Sequence, residues 1–205
     1  MTAPGFPNGF FARDDESNDR AFYAPPRLVT HIDDGAIAAV GDLYGELGID
    51  GDVLDLMSSW VSHFRTTPAR LVALGMNVHE LARNRQATGG VVHDLNAHPS
   101  LPFAAASFDA VVCCVSVDYL VQPIDVFRDV GRVLRPEGLF VCTFSNRCFP
   151  TKAIRGWLYT DDAQHMEIVA EYFARSGTWR DVTAATRLPA TPGRDPLYAV
   201  WSRRQ

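Results

Sequence analysis

The sequence predicts an α/β fold in which a mostly parallel sheet is covered by helices on both faces, and three observations carry that prediction. Short apolar runs recur at 53–57, 71–76, 90–94, 110–117 and 139–144. They are continuous rather than alternating, as strands covered on both sides require. Between the fourth and fifth runs, Ile124, Phe127, Val130, Gly131 and Leu134 return at helical spacing, and Pro136-Glu137-Gly138 then supplies a stop. Strand, helix and strand in that order make a parallel crossover.

The remaining elements follow in chain order. Residues 1–21 hold Gly, Pro, Asn and acidic residues with little periodicity and are expected to form an N-terminal arm, mobile or docked as a strap, with Phe6, Phe10 and Phe11 favouring docking. Residues 22–205 are expected to form a single domain. Phe22-Tyr23-Ala24-Pro25-Pro26 predicts an extended segment, because each proline pushes its predecessor out of the helical region. Ile37, Val40, Leu43, Tyr44 and Leu47 mark one face of a helix that Gly48 ends. Ser58 and Ser59 suit two roles, as N-caps of a helix through Trp60, Val61 and Phe64 or as contacts to a ligand. A helix over 167–175 and strands over 179–183 and 197–202 complete the chain.

Composition narrows the function classes. The 205 residues are 47% hydrophobic with a formal charge of −5, enough for one substantial core, and no basic stripe is present for nucleic-acid phosphates. Without a long apolar run, and with acidic residues near the start, the chain is expected to be soluble and cytoplasmic, with no membrane partner. Cys113, Cys114 and Cys142 lie in apolar strand-like runs and predict core thiols, and no His or Cys spacing predicts a metal site. Nothing in the sequence specifies an oligomeric state.

The run from Asp94-Leu95-Asn96 through Leu101-Pro102-Phe103 and Ser107-Phe108-Asp109-Ala110-Val111-Val112-Cys113-Cys114 to Leu134-Arg135-Pro136-Glu137-Gly138-Leu139-Phe140 closely resembles the class I S-adenosylmethionine-dependent methyltransferases, in particular the type 11-like members. The chain further resembles a little-characterised group of methyltransferase-like proteins that share F-Y-x-x-P-R-x-V-T-H-I-D-D at 22–34, a glycine-free D-L-M-S-S-W run at 55–60 and an L-G-M-N turn at 74–77. The resemblance implies a Rossmann-like methyltransferase fold, with a mostly parallel seven-stranded sheet and an antiparallel C-terminal strand. It also implies S-adenosylmethionine (or its product S-adenosylhomocysteine) as cofactor, and a small-molecule methyl acceptor as substrate.

Carried onto this chain, the resemblance assigns Asp55, Met57 and Ser58 to the cofactor loop, with Met57, Ser59 and Val61 where the family has glycines. Gly75, Met76 and Asn77 fall at the end of the second strand, where the family places an acidic residue on the ribose. Glycine cannot grip a ribose, so Asn77 or Glu80 would have to reach back. Asp94 and Leu95 match the adenine-binding position, Asp94 also suiting a cap for the loop before Leu101-Pro102-Phe103, and Val115 matches the end of the fourth strand. On the substrate side, Ser116 sits at a carboxyl edge where open α/β sheets bind ligands. Arg27 is a candidate clamp for a carboxylate or phosphate, a salt bridge to nearby acids being the other reading. His31 and Tyr23 are the candidate catalytic residues, His31 because it titrates near neutrality; it also suits helix capping or a core hydrogen bond. The glycine-free loop leaves open a non-catalytic or regulatory binding protein on a degenerate methyltransferase scaffold. The absence of G-x-G-x-x-G argues against a nicotinamide cofactor.

Overall fold

The computed structural model describes residues 5–177 and 179–205. Seven strands form one sheet in the order β3-β2-β1-β4-β5-β7-β6. β1 (Asp52–Leu56), β2 (Arg70–Gly75), β3 (Gly89–Val92), β4 (Phe108–Cys114) and β5 (Leu134–Phe144) run parallel, and β7 (Leu197–Arg204) inserts antiparallel between β5 and β6 (Trp179–Leu188). The inner strands are buried on both faces, which is why their sequences read as unbroken apolar runs.

Helices α4 (Pro123–Val133) and α6 (Asp162–Ser176) cover one face, where Phe127, Phe140, Tyr172 and Phe173 interlock edge to face. Helix α2 (Asp34–Glu46) covers the other, setting Val40, Leu43 and Tyr44 against Val53, Leu71 and Val112. Asp33 caps α2 by accepting from the Ala36 N–H, and Leu47 and then Gly48, at φ +65°, close it. Asp161 and Gln164 cap the start of α6 reciprocally.

Several expected elements differ. No helix follows β1: residues 57–69 are a loop, in which Met57 and His63 take left-handed backbone angles of φ +57° and +58°. The Ser58 hydroxyl goes to Asp55 and the Ser59 hydroxyl to Glu80, so neither caps a helix. Between β2 and β3 lies only the one-turn helix α3 (Val78–Leu81). The segment expected to be extended from Phe22 begins inside a short helix α1 (Asp19–Tyr23), because Asn18 caps it through the Arg20 N–H and Asp19 is anchored by ion pairs. Helix α4 ends at Val133, before Pro136, because Leu134 already pairs with Phe108 and Arg135 is held by Asp52 and Asp109. β6 extends to Leu188, past the expected Thr183.

Residues 5–21 pack against the domain. Phe6, Phe10 and Phe11 cluster with Tyr172, and backbone bonds run from Arg155 N–H to Ala12 O and from Gly156 N–H to Phe10 O. A Cβ on Gly156 would lie 2.3 Å from the Phe10 ring, so glycine lets the arm lie flush on the short helix α5 (Arg155–Leu158). Deeper in, Lys152 is fully buried with its ammonium 3.0 Å from both Asp15 and Asp19, and Arg13 donates twice to Asp19 at 2.9 and 2.8 Å. The two cations thus face Asp15 and Asp19 in the interior, with the exposed Glu16 adding a longer ion pair to Arg13.

Candidate functional site

A cavity of about 380 Å³ opens at the carboxyl ends of β1 to β4 and is roofed by residues 23–31. In an open α/β sheet this edge is where strand ends diverge and ligands bind. Every predicted site residue lines it except Asp55.

Asp55 is only 3% exposed, and its Oδ2 accepts both the Ser58 and Ser62 hydroxyls at 2.6 Å. Burial raises its pKa to about 6 despite those bonds. The carboxylate thus builds the loop from beneath through Oδ2, and Asp55, expected in the cofactor site, is not among the residues that line the cavity. Met57 and Val115 do line the cavity, and both carry left-handed backbones at φ +57° and +44°. Non-glycine residues in that region are strained, and such strain gathers at ligand sites. At Met57 the chain keeps a glycine-like turn without the glycine.

The end of β2 has a different logic from the one expected. A Cβ on Gly75 would lie 2.1 Å from the Ser58 carbonyl oxygen, and the Ser58 N–H donates to Leu74 O at 2.7 Å. Glycine is therefore required because the β1 loop lies directly on β2. Neither side chain expected to reach back is free. Asn77 donates to the Tyr23 and Ala24 carbonyls, both at 2.9 Å, while its Oδ1 accepts from His79 and Glu80 at the start of α3. Glu80 takes the Arg27 N–H on Oε1 and the Ser59 hydroxyl on Oε2, each at 2.6 Å. The Trp60 indole adds a bond to Val29 O at 3.0 Å. The three sequence signatures at 22–34, 55–60 and 74–77 are thus one structure: the last two lace down the first.

Asp94 spends Oδ1 on the Asn96 and Ala97 N–H groups, at 3.0 and 3.1 Å, and its Oδ2 takes no donor from the described residues. Leu95 and Met76 supply apolar wall beside it. The Ser116 hydroxyl is bonded to Cys114 O at 3.0 Å.

On the strap, Arg27 forms no ion pair among the described residues, contrary to the salt bridge that was one reading of it. Its guanidinium instead stands 4.6 Å from the Phe22 ring centre and 5.3 Å from that of Phe149 and donates to Phe22 O, while Nη1 is buried without a partner. His31 caps nothing: its ring packs edge-on to Phe149, and partial burial lowers its pKa. Burial raises the pKa of Tyr23.

Sequence reasoning missed Tyr119 and Phe149, which line the cavity together and are joined by a bond from the Phe149 N–H to the Tyr119 hydroxyl at 2.8 Å. Their position just beyond β4 and β5, at the binding edge of the sheet, was the available signal. Asp118, one residue from Tyr119, is 3% exposed with Oδ2 unpartnered, and burial raises its pKa to about 8.

Residues 56–142 match a family model described as a methyltransferase domain. No curated protein matches the chain. Among solved structures, the chain is similar to an S-adenosylmethionine-dependent methyltransferase from Mesorhizobium loti (18% identity, TM-score 0.56, covering 82% of this chain and 98% of that one). It is also similar to geranyl diphosphate C-methyltransferase from Streptomyces coelicolor, solved with Mg2+, geranyl diphosphate and S-adenosyl-L-homocysteine (13%, TM-score 0.54, 82% and 77%). A third is the 4+2 cyclase SpnF (17%, TM-score 0.59, 91% of each chain). The sheet order and the antiparallel β7 give the chain the Rossmann-like fold of these methyltransferase structures, and the segment 56–142 is similar to a methyltransferase domain.

Proposed function

We propose that the protein is an S-adenosylmethionine-dependent methyltransferase acting on a small molecule. The observation that carries this reading is the roofed cavity at the carboxyl ends of β1 to β4, with Asp94 offering an unused carboxylate oxygen inside it. The donor set fits the cofactor in part. Asp94 would accept the adenine amino group, Met76 and Leu95 would flank the ring, and the backbone at Met57 and Val115 would approach the methionyl end. S-adenosylmethionine supplies an already activated methyl group, so the protein's work is to align the acceptor atom and exclude water. The strap with Tyr23, Arg27 and His31 does the excluding, and Ser116 borders the acceptor side.

The fit is weakest at the ribose. Gly75, Asn77 and Glu80 leave no free carboxylate at the end of β2, and one charge-assisted contact is worth about 1.5–3 kcal/mol. S-adenosylhomocysteine is therefore expected to bind with a Kd between about 1 µM and 1 mM. Calorimetry checks this, with Asp94→Ala expected to lose about 1–3 kcal/mol of binding while keeping its melting temperature. An unchanged affinity removes Asp94 from the site. The same missing contact supports a second reading, a binding protein on a degenerate scaffold. That reading wins if millimolar S-adenosylhomocysteine produces no heat.

A further inference from the structure

The acceptor end of the cavity has a chemical character that narrows its occupant. Its walls are Tyr23, Tyr119 and Phe149, with Arg27 among them. The Phe149 ring is set 5.5 Å from Phe22 at 75° and 6.0 Å from Tyr119 at 32°. These are surfaces for a planar π-system.

Charge narrows it further. Arg27 Nη1 is a buried cationic donor without an acceptor among the described residues, an arrangement that costs free energy until an acceptor arrives. The acids around it are already used. Both Glu80 oxygens are committed to the Arg27 backbone and Ser59. Asp19 faces Arg13, Lys152 and Asn96. Asp118, with a pKa near 8, is mostly protonated at neutral pH. Arg27 also emerges from a rigid frame, because its own N–H is pinned to Glu80 and its Nη2 to Phe22 O. A planar guanidinium held this way matches a two-oxygen anion.

We infer that the methyl acceptor is a planar aromatic anion whose carboxylate or phosphate is held by Arg27 between Tyr23 and Phe149. The inference rests on the transferase reading for the word acceptor, but the anion preference belongs to the cavity itself. Entry beside Phe149 brings the anionic group to Nη1 and satisfies the unpartnered donor.

The test is ligand-observed NMR titration of the full chain, with and without saturating S-adenosylhomocysteine. The probes are 2-naphthoate and 2-naphthyl phosphate, their neutral counterpart 2-naphthamide, and cyclohexanecarboxylate as a non-planar anion. The two aromatic anions are expected to bind at least tenfold more tightly than 2-naphthamide or cyclohexanecarboxylate, and whichever of the two binds better identifies the anionic group. Arg27→Gln is expected to abolish the preference. Should that variant melt early, Arg27→Lys, which keeps the charge without the planar fork, is expected to reduce the preference severalfold. Equal binding of 2-naphthamide, a preference that survives in Arg27→Gln, or one that is lost instead in Arg147→Gln, Arg147 being the other arginine that lines the cavity, overturns the proposal. Failure of S-adenosylhomocysteine alone overturns the transferase reading, since the anion preference is read in its absence as well.

Discussion

The two halves of the sheet are held by different forces. Around β4, β5 and β7, order comes from apolar packing: α4 and α6 lay interlocked aromatic rings on strands with almost no polar atoms between them. Around β1, β2 and β3 the connecting helices have shrunk to a loop and a single turn, and the space is closed by named polar contacts from Glu80, Asn77, Trp60 and Asp55. Apolar packing is tolerant of detail, whereas each polar contact depends on one pair of atoms. The half that carries the cavity is thus the half whose geometry is specified atom by atom.

Substitutions can break this contrast, and the largest effects belong to one buried group from the apolar half and one from the ion-pair network that anchors the strap's N-terminal end beside the cavity. Phe127→Ala is expected to cost about 3–5 kcal/mol of stability, with S-adenosylhomocysteine affinity unchanged in the protein that stays folded. Lys152→Met is expected to cost a similar ~3–5 kcal/mol, because Asp15 and Asp19 lose their shared partner, and to weaken ligand binding as well. Chemical denaturation alongside calorimetry separates the two. Equal effects on the ligand would erase the distinction between the halves.

Next in size is a pH effect at the seam between them. The unfolded chain releases the Asp118 proton near pH 4, whereas the folded chain keeps it to about 8. Folded stability therefore falls as pH rises from about 4 to about 8 and is level above that. Asp118→Asn removes this slope, so the variant should match the wild type near pH 4 and gain on it steadily, by several kcal/mol, as the pH rises to about 8. Asp55 contributes a slope of the same sign up to about pH 6 in both proteins. Parallel melting curves across that range would show that Asp118 is solvated.

Smaller effects sharpen the comparison. Gly75→Ala must push the Ser58 carbonyl off β2 and is expected to cost about 1–3 kcal/mol. By contrast, Gly45→Ala, near the end of α2 with nothing within 4 Å of its new Cβ, should stabilise by about 0.5–1 kcal/mol. Of similar size, Glu80→Gln keeps one acceptor for the Arg27 N–H and weakens the other bond. It is expected to cost about 1 kcal/mol, visible as faster hydrogen exchange over 24–31 with no change in α4 or α6.

The same division explains what was legible in the sequence. The five parallel strands and α4 were readable because burial leaves a pattern in single residues: Val111, Val112 and Phe140 are apolar wherever they sit in a covered strand. The loop at 57–69 was not. Ser58 and Ser59 look alike as caps, ligand contacts or partners of a distant acid, and only the fold brings Asp55 and Glu80 to them. Gly75 was read as a missing carboxylate, and its steric reason lies in a carbonyl from another segment. Arg27 was legible as a functional cation, but its aromatic surroundings include Phe149, which is distant in sequence and near only in the fold.

The buried Lys152 also fixes an order of events. Its bond to the Asp15 carbonyl spans 137 residues, a closure whose entropic cost is met only after the intervening sheet has formed. During synthesis the arm leaves the ribosome before the sheet does, yet has nothing to dock on until β5 and the segment beyond it have emerged. The arm is therefore the last part of the chain to dock, and a chain stalled before residue 152 would carry β1 to β5 with Asp15 and Asp19 still lacking their buried lysine.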